Sequence, residues 1–242
     1  DYLATLVTIP LPFLADVTAE GITEGTDILA DEPYECPMKP FGGVEQLAWS
    51  PDSKSIAYTC RKKSGVEYAT STDSDIYLYE LATKQTKNLC KPAGYVAPKN
   101  DTSKSKKFQA VNSAENLKNN PGYDINPKFS PDGKTLLYFG GWQTDEEAGG
   151  ADKIHGAWAL YDMETGNKTA ILPAGTKDDL DFFDISNHGT VMCEDNNLGY
   201  IYQDGKGTFA YKYLKEKGVN LADYHVFVNP DAPKDSDGET LY

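Results

Sequence analysis

The 242-residue sequence is short of the residues from which most active sites are built. Its three histidines, His155, His188 and His225, sit in turn or strand settings with no serine or cysteine partner close by in sequence. No Gly-x-Ser-x-Gly nucleophile elbow occurs. A catalytic triad within this chain is therefore not expected, and no catalytic residue is assigned. The four cysteines, Cys36, Cys60, Cys90 and Cys193, form no Cys-x-x-Cys pair and have no paired histidine, so zinc spacing is absent and no metal or cofactor is expected. No apolar run approaches the roughly 18 residues of a membrane-spanning helix. The opening Asp1-Tyr2-Leu3-Ala4 has neither the charged nor the apolar region of a signal peptide. Basic residues are scarce as well, 23 lysines and arginines against 37 acidic residues, giving a net charge of −14. That balance argues against nucleic acid, because phosphate binding needs clustered lysine and arginine.

A few segments stand out against this background, and each has a plain reading. Residues 91–118 carry six lysines against Asp101 and Glu115, which leaves about −18 on the rest of the chain; a solvated basic loop accounts for this, and a docking loop is the sharper alternative. Gly205-Lys206-Gly207-Thr208-Phe209-Ala210 matches a dinucleotide-binding pattern, but it lies between two strands with no helix expected after it, so a hairpin turn is the better reading. Asp235-Ser236-Asp237-Gly238-Glu239 lacks the further spaced ligands of a calcium loop. Asp73-Ser74-Asp75 reads as an exposed turn before a strand. Trp49 and Trp158 fall on strands and read as packing, whereas Trp142 follows Gly140-Gly141 and reads as a loop residue. Cys60 and Cys90 are expected two strand spacings apart, roughly 9–10 Å. That is too far for a disulfide, so buried free thiols are expected.

What the chain does have is a repeated phrase. Trp49-Ser50-Pro51-Asp52-Ser53-Lys54-Ser55-Ile56-Ala57-Tyr58 returns as Phe129-Ser130-Pro131-Asp132-Gly133-Lys134-Thr135-Leu136-Leu137-Tyr138, with a truncated echo at Asp235–Tyr242. Internal repetition marks solenoids, propellers and arrays. Proline presets φ, serine and aspartate favour turn positions and glycine tolerates positive φ. Ser50, Pro51 and Asp52, and likewise Ser130, Pro131, Asp132 and Gly133, are thus the structural turns of equivalent hairpins. Further strands are expected at Asp75–Leu81, Thr86–Cys90, Gly156–Met163 and Lys168–Leu172. Four short antiparallel strands make one propeller blade. We therefore expect an all-β chain, a partial β-propeller of about three and a half four-stranded antiparallel blades. Residues 1–242 form one partial propeller domain. Its blades fall near 44–90, 124–173 and 178–214, an incomplete blade occupies 224–242, and 91–120 is an insertion with a short helix near Gln109–Lys118. Gly207–Leu214 is read as the last strand of the third blade, and Ala4–Ile9 as the last strand of a preceding one.

The longer strings carry a resemblance. Val44–Lys54 with Ile56-Ala57-Tyr58, Ser71–Tyr77, and Pro121–Gly133 resemble the propeller of bacterial dipeptidyl-peptidase V-type enzymes in the prolyl oligopeptidase family of serine peptidases. The Ser-Pro-Asp-Gly phrase alone is shared with TolB-like propellers. In that family a propeller of seven or eight blades caps an α/β-hydrolase domain that carries the catalytic serine, aspartate and histidine, so the resemblance implies that these blades are part of such a whole. The resemblance implies that this chain is part of the cap, without the hydrolase domain, and that no triad residue carries over.

Its implied role is to gate the access of short peptides to the hydrolase domain of its parent chain, in the periplasm or outside the cell. Its partners would be that domain and the peptides, with no nucleic acid and no membrane span; a homo-oligomer is left open. Glu45, Asp124, Asp179 and Asp181, at innermost-strand positions, are the candidates for attracting a substrate's α-ammonium group. A freestanding TolB-like propeller that binds a protein or ligand is the alternative. A propeller that binds sugar through an exposed aromatic such as Trp142 is a third.

Overall fold

In the computed structural model, the described residues are 12–30, 32, 34–38, 42–71, 73–91, 94–95, 123–142, 155–171, 180–186, 188–195 and 198–220. The chain builds antiparallel sheets in sequence order. Two small hairpin-like ladders come first: β1 (Phe13–Leu14) pairs with β4 (Thr26–Asp27), and β2 (Val17–Thr18) with β3 (Gly21–Ile22). The first blade follows as β5 (Leu47–Trp49), β6 (Ser55–Cys60), β7 (Asp75–Glu80) and β8 (Gln85–Asn88). The second is β9 (Tyr123–Phe129), β10 (Thr135–Trp142), β11 (His155–Asp162) and β12 (Lys168–Ile171). The third is β13 (Leu180–Ile185), β14 (Val191–Asp195), β15 (Leu198–Gln203) and β16 (Lys206–Phe209). In each blade the four strands pair in chain order, and every neighbour is antiparallel. This is the up-and-down blade of a β-propeller.

The repeated phrase builds the same turn at each blade's first hairpin. Ser50 Oγ donates to Asp52 Oδ1 at 2.7 Å and accepts the Ser55 N–H at 2.9 Å, while Asp52 Oδ1 accepts the Lys54 N–H at 3.1 Å. Ser130, Asp132, Thr135 and Lys134 repeat these bonds at 2.7, 3.0 and 3.1 Å. The third blade keeps the serine, whose Oγ accepts the Thr190 N–H at 3.1 Å, but has no aspartate two residues on. The turn residue before the second strand has positive φ in all three: Ser53 at 59°, Gly133 at 72° and Gly189 at 70°. The hydrogen bonds from Ser50 and Lys54 hold the Asp52 carboxyl below its ordinary range, and those from Ser130 and Lys134 do the same for Asp132.

Register carries the repeat into the core. Opposite Ile56 stands Tyr79, opposite Leu136 stands Tyr161, and opposite Val191 stands Tyr202. These three tyrosines are all buried. Side chains alternate between faces, as a strand requires. Leu136 and Tyr138 pack toward the first blade with Ala57 and Ile76, while Leu137 packs toward the third with Ile185 and Val191. Successive blades therefore stack face to face, and the core lies in the seams between them.

Several expected elements take another form. Val44–Gln46 is one turn of 3-10 helix, and the innermost strand of the first blade begins only at Leu47. Gly65–Thr70 is a short helix, α1. The third blade's last strand ends at Phe209, and Ala210–Glu216 turns into a helix, α2. Alanine, leucine, lysine and glutamate are good helix formers; Tyr211 buries beneath the sheet and Gly218, at φ 80°, ends the helix. Trp142 is the last residue of β10, paired with His155, and is not a loop residue. The readings for Ala4–Ile9, Gln109–Lys118 and 224–242 lie outside the described residues, as does nearly all of 91–120.

Candidate functional site

Among the described residues a connected group of polar side chains lies in the seam between the first and second blades. Ser74 and Asp75 do not form an exposed turn: Ser74 is fully buried and Asp75 nearly so. The reason is tertiary, since β9 of the second blade runs across them. Asp124 N–H donates to Ser74 O at 3.0 Å, and Ser74 Oγ donates to Asp124 O at 3.2 Å. Farther along β9, Asn126 N–H donates to Thr59 Oγ1 at 3.2 Å.

The chain after β8 closes the group. Asn88 Oδ1 accepts the N–H groups of Cys90 and Lys91, each at 2.8 Å, which turns the backbone inward. The Asn88 amide donates to Asp75 Oδ2 at 2.9 Å. Lys91 Nζ bridges Asp73 and Asp75, and Lys63 Nζ reaches Asp73 at 3.1 Å. Burial works against the Lys91 charge, but Asp75 and Asp73 outweigh it and leave that ammonium above its ordinary value. From the second blade, Lys168 Nζ donates to Cys90 O at 2.8 Å.

Asp124 is the unusual member. It is 1% exposed, and its Oδ2 has no hydrogen-bond partner. Burial, reinforced by the Asp75 charge, pushes its carboxyl up to about 7. Cys90 is also buried, and burial drives its thiol well above the usual range, which disfavours the free thiolate. Ile76 N–H donates to Cys90 Sγ at 3.4 Å. The ligand atoms of Asp75, Cys90 and Asp124 all lie within 4.8 Å of one another. This set joins residues 49 positions apart at its extremes, so no local spacing in the sequence announces it.

The four acidic residues expected to meet a substrate are placed differently from one another. Asp124 is sealed in the seam and has no surface to offer a substrate. Glu45 lies on the exposed 3-10 turn, where its Oε1 accepts the Gly43 N–H at 2.7 Å. Asp181 pairs with Glu194 on the first hairpin of the third blade. Asp179 lies outside the described residues.

Cys36, Cys60 and Cys90 are free and buried, as expected. Burial pushes the thiols of Cys36 and Cys60 up to about 12. The dinucleotide-like segment opens on a hairpin turn, with Asp204 at φ 52° and Gly205 at φ 77°, and runs on as β16; contrary to expectation a helix, α2, does follow from Ala210, but it follows a strand rather than the glycine turn. Gly207 serves packing, because a Cβ there would come within 1.5 Å of Tyr200 Oη. No helix among the described residues is long and apolar enough to cross a membrane.

Comparison with known sequences gives the arrangement its context. Over 166 residues, 69% of its length, the chain is 39% identical to dipeptidyl-peptidase 5 of Porphyromonas gingivalis. The chain resembles the propeller region of a prolyl oligopeptidase family peptidase. Dipeptidyl-peptidase 5 of Porphyromonas endodontalis is likewise 39% identical, over 131 residues. The chain spans 20% and 15% of the lengths of these two relatives. Among solved structures, TolB from Acinetobacter baumannii aligns with a TM-score of 0.38 at 17% identity, over 68% of this chain and 31% of that one. Acylaminoacyl peptidase from Pyrococcus horikoshii aligns with a TM-score of 0.40 at 13% identity, over 82% and 27%. No protein-family model matches the chain.

Proposed function

We propose that this segment is a non-catalytic propeller part of a secreted or periplasmic serine exopeptidase. In this reading it gates the access of short peptides to a hydrolase domain of the same parent chain. The similarity to dipeptidyl-peptidase 5, 39% identity over 166 residues, carries the reading. Physical support comes from the seams. A gate that works by exclusion must be stiff, and close-packed interiors transmit strain rather than yield. Here the blades interlock through buried tyrosines and through the polar group around Asp75 and Asp124. Within this proposal the exposed Glu45, together with the acidic residues Asp179 and Asp181, draws the α-ammonium group of a peptide toward the entrance.

The test uses the full-length parent. Phe129→Ala loosens the seam without touching any chemistry, so cleavage of long peptides should rise relative to that of dipeptidyl chromogenic substrates. An unchanged ratio, with the variant folded, refutes gating. Replacing Glu45, Asp179 and Asp181 together by their amides should raise KM for peptides with free N-termini and leave N-blocked peptides unaffected. The chain by itself should show no turnover, because nucleophilic catalysis needs an activated nucleophile beside its base.

A further inference from the structure

We propose that Asp75, Cys90 and Asp124 form a divalent-cation site, suited to zinc, that ties the first blade to the second. Two ligands come from the first blade and its exit, and the third from the innermost strand of the second. All three residues are buried, with their ligand atoms within 4.8 Å of one another. Donor atoms sharing one tetrahedral zinc at bond lengths of about 2.0–2.3 Å stand roughly 3.5 Å apart. Rotation of the side chains by about an ångström therefore closes the set.

Four features point to a bound cation rather than to a chance meeting of acids. Asp124 Oδ2 is buried without a hydrogen bond, a condition that folded proteins rarely leave unexplained. Asp75 Oδ1 also lacks an aligned donor, although Lys91 Nζ stands 3.0 Å away. The other Asp75 oxygen is already held by Asn88 at 2.9 Å and Lys91 at 3.1 Å, the kind of outer contact that orients a metal-binding carboxylate. The Ile76 N–H aimed at Cys90 Sγ does the same for the sulfur.

The donor set selects the ion. One sulfur with two carboxylates favours zinc over magnesium or calcium, which take oxygen donors. A thiolate and two carboxylates carry three negative charges, which a divalent ion together with Lys91 balances. Three protein ligands leave a fourth position for water. The competing account is that the Cys90 thiol donates to Asp124 while Lys91 neutralises Asp75, in which case the group is a plain hydrogen-bonded and salt-bridged seam.

The experiment uses the purified full chain, stripped with chelator and then titrated with Co²⁺ as a spectroscopic probe and with Zn²⁺ by calorimetry. The expected result is one ion per chain with a thiolate-to-cobalt charge-transfer band. Cys90→Ser should abolish that band, and Asp124→Asn should weaken zinc binding at least tenfold. Zinc should raise the Tm of the wild type but not of these variants. Lys91→Met should keep the band, since the lysine is no ligand. A cobalt complex of the wild type without a thiolate band overturns the proposal even if every variant misfolds. So does a band that survives Cys90→Ser, or zinc binding equally tight in Asp124→Asn.

Discussion

Trp49 and Phe129 occupy the same position in successive blades, one residue before the Ser-Pro-Asp turn and opposite Ile56 and Leu136 respectively. Phe129 is 9% exposed and Trp49 is 52% exposed. Sequence periodicity gives both side chains the same face. What differs is the neighbour: Phe129 packs on the first blade, and no blade among the described residues lies against the face that carries Trp49. The stability consequences should differ accordingly. Phe129→Ala should cost about 3–5 kcal/mol, as for other buried aromatics, and Trp49→Ala less than about 1 kcal/mol. Urea unfolding of the two variants checks this, and comparable losses would contradict the assigned packing.

The two copies of the turn offer an internal control. Ser53 and Gly133 occupy the same left-handed position, at φ 59° and 72°. A side chain is strained there by roughly 1–2 kcal/mol, partly offset by the greater freedom glycine loses on folding. Ser53→Gly should therefore stabilise by up to about 1 kcal/mol, and Gly133→Ser should destabilise by a similar amount. A Cβ on Gly133 would meet Pro51 at an ordinary 3.4 Å, so backbone strain alone decides the sign. Changes of the same sign in both variants would show that the turns are not equivalent.

Gly207 should tolerate no side chain. Its added Cβ would overlap the Tyr200 hydroxyl, and Tyr200 is 1% exposed within the core of the third blade. Gly207→Ala should cost about 1–3 kcal/mol through overpacking. Tyr200→Phe should not rescue the variant, because the ring carbons Cζ and Cε1 would still lie 2.2 and 2.7 Å from the added Cβ. A double variant restored to wild-type stability would show that the hydroxyl alone, and not the ring, meets the new side chain.

Asp124 predicts a pH dependence whose sign follows from burial. Its folded value is about 7, whereas an unfolded aspartate titrates near about 3.9. Between these values the folded chain keeps a proton that the unfolded chain has released. Wild-type stability at this site therefore falls as pH rises through that window and levels off above it. Asp124→Asn removes the penalty, so the variant should gain on the wild type by up to about 1.4 kcal/mol per pH unit across the window. Denaturant titrations of both proteins at pH 5 and pH 8, with chelator present, measure the difference. A gap that does not widen toward pH 8 would place the titration on another group.

Much of the architecture was legible because it is local. The Ser-Pro-Asp phrase contains its own hydrogen-bond partners, Ser50 with Asp52 and Ser130 with Asp132, so the turn forms wherever those residues occur. Alternation around Ile56-Ala57-Tyr58 and Leu136-Leu137-Tyr138 then assigns faces, and two successive strand pairs yield a blade. The seam was not legible. Asp73-Ser74-Asp75 looks like a solvated turn in isolation, and Asp124 like a surface acid on an inner strand. Only the passage of β9 across β7 buries both.

By itself, then, the sequence determined the repeat unit, its turns, the strand order and the alternation of core faces, because each depends on contacts within a few residues or one hairpin. The tertiary structure alone decided which faces meet. It buried Phe129 and left Trp49 exposed, docked the Ala210–Glu216 helix on the third blade, and gathered Asp75, Cys90 and Asp124 from three separate stretches into one buried group. Burial sets the energetics of charged groups, and burial is a property of neighbours far apart in the chain.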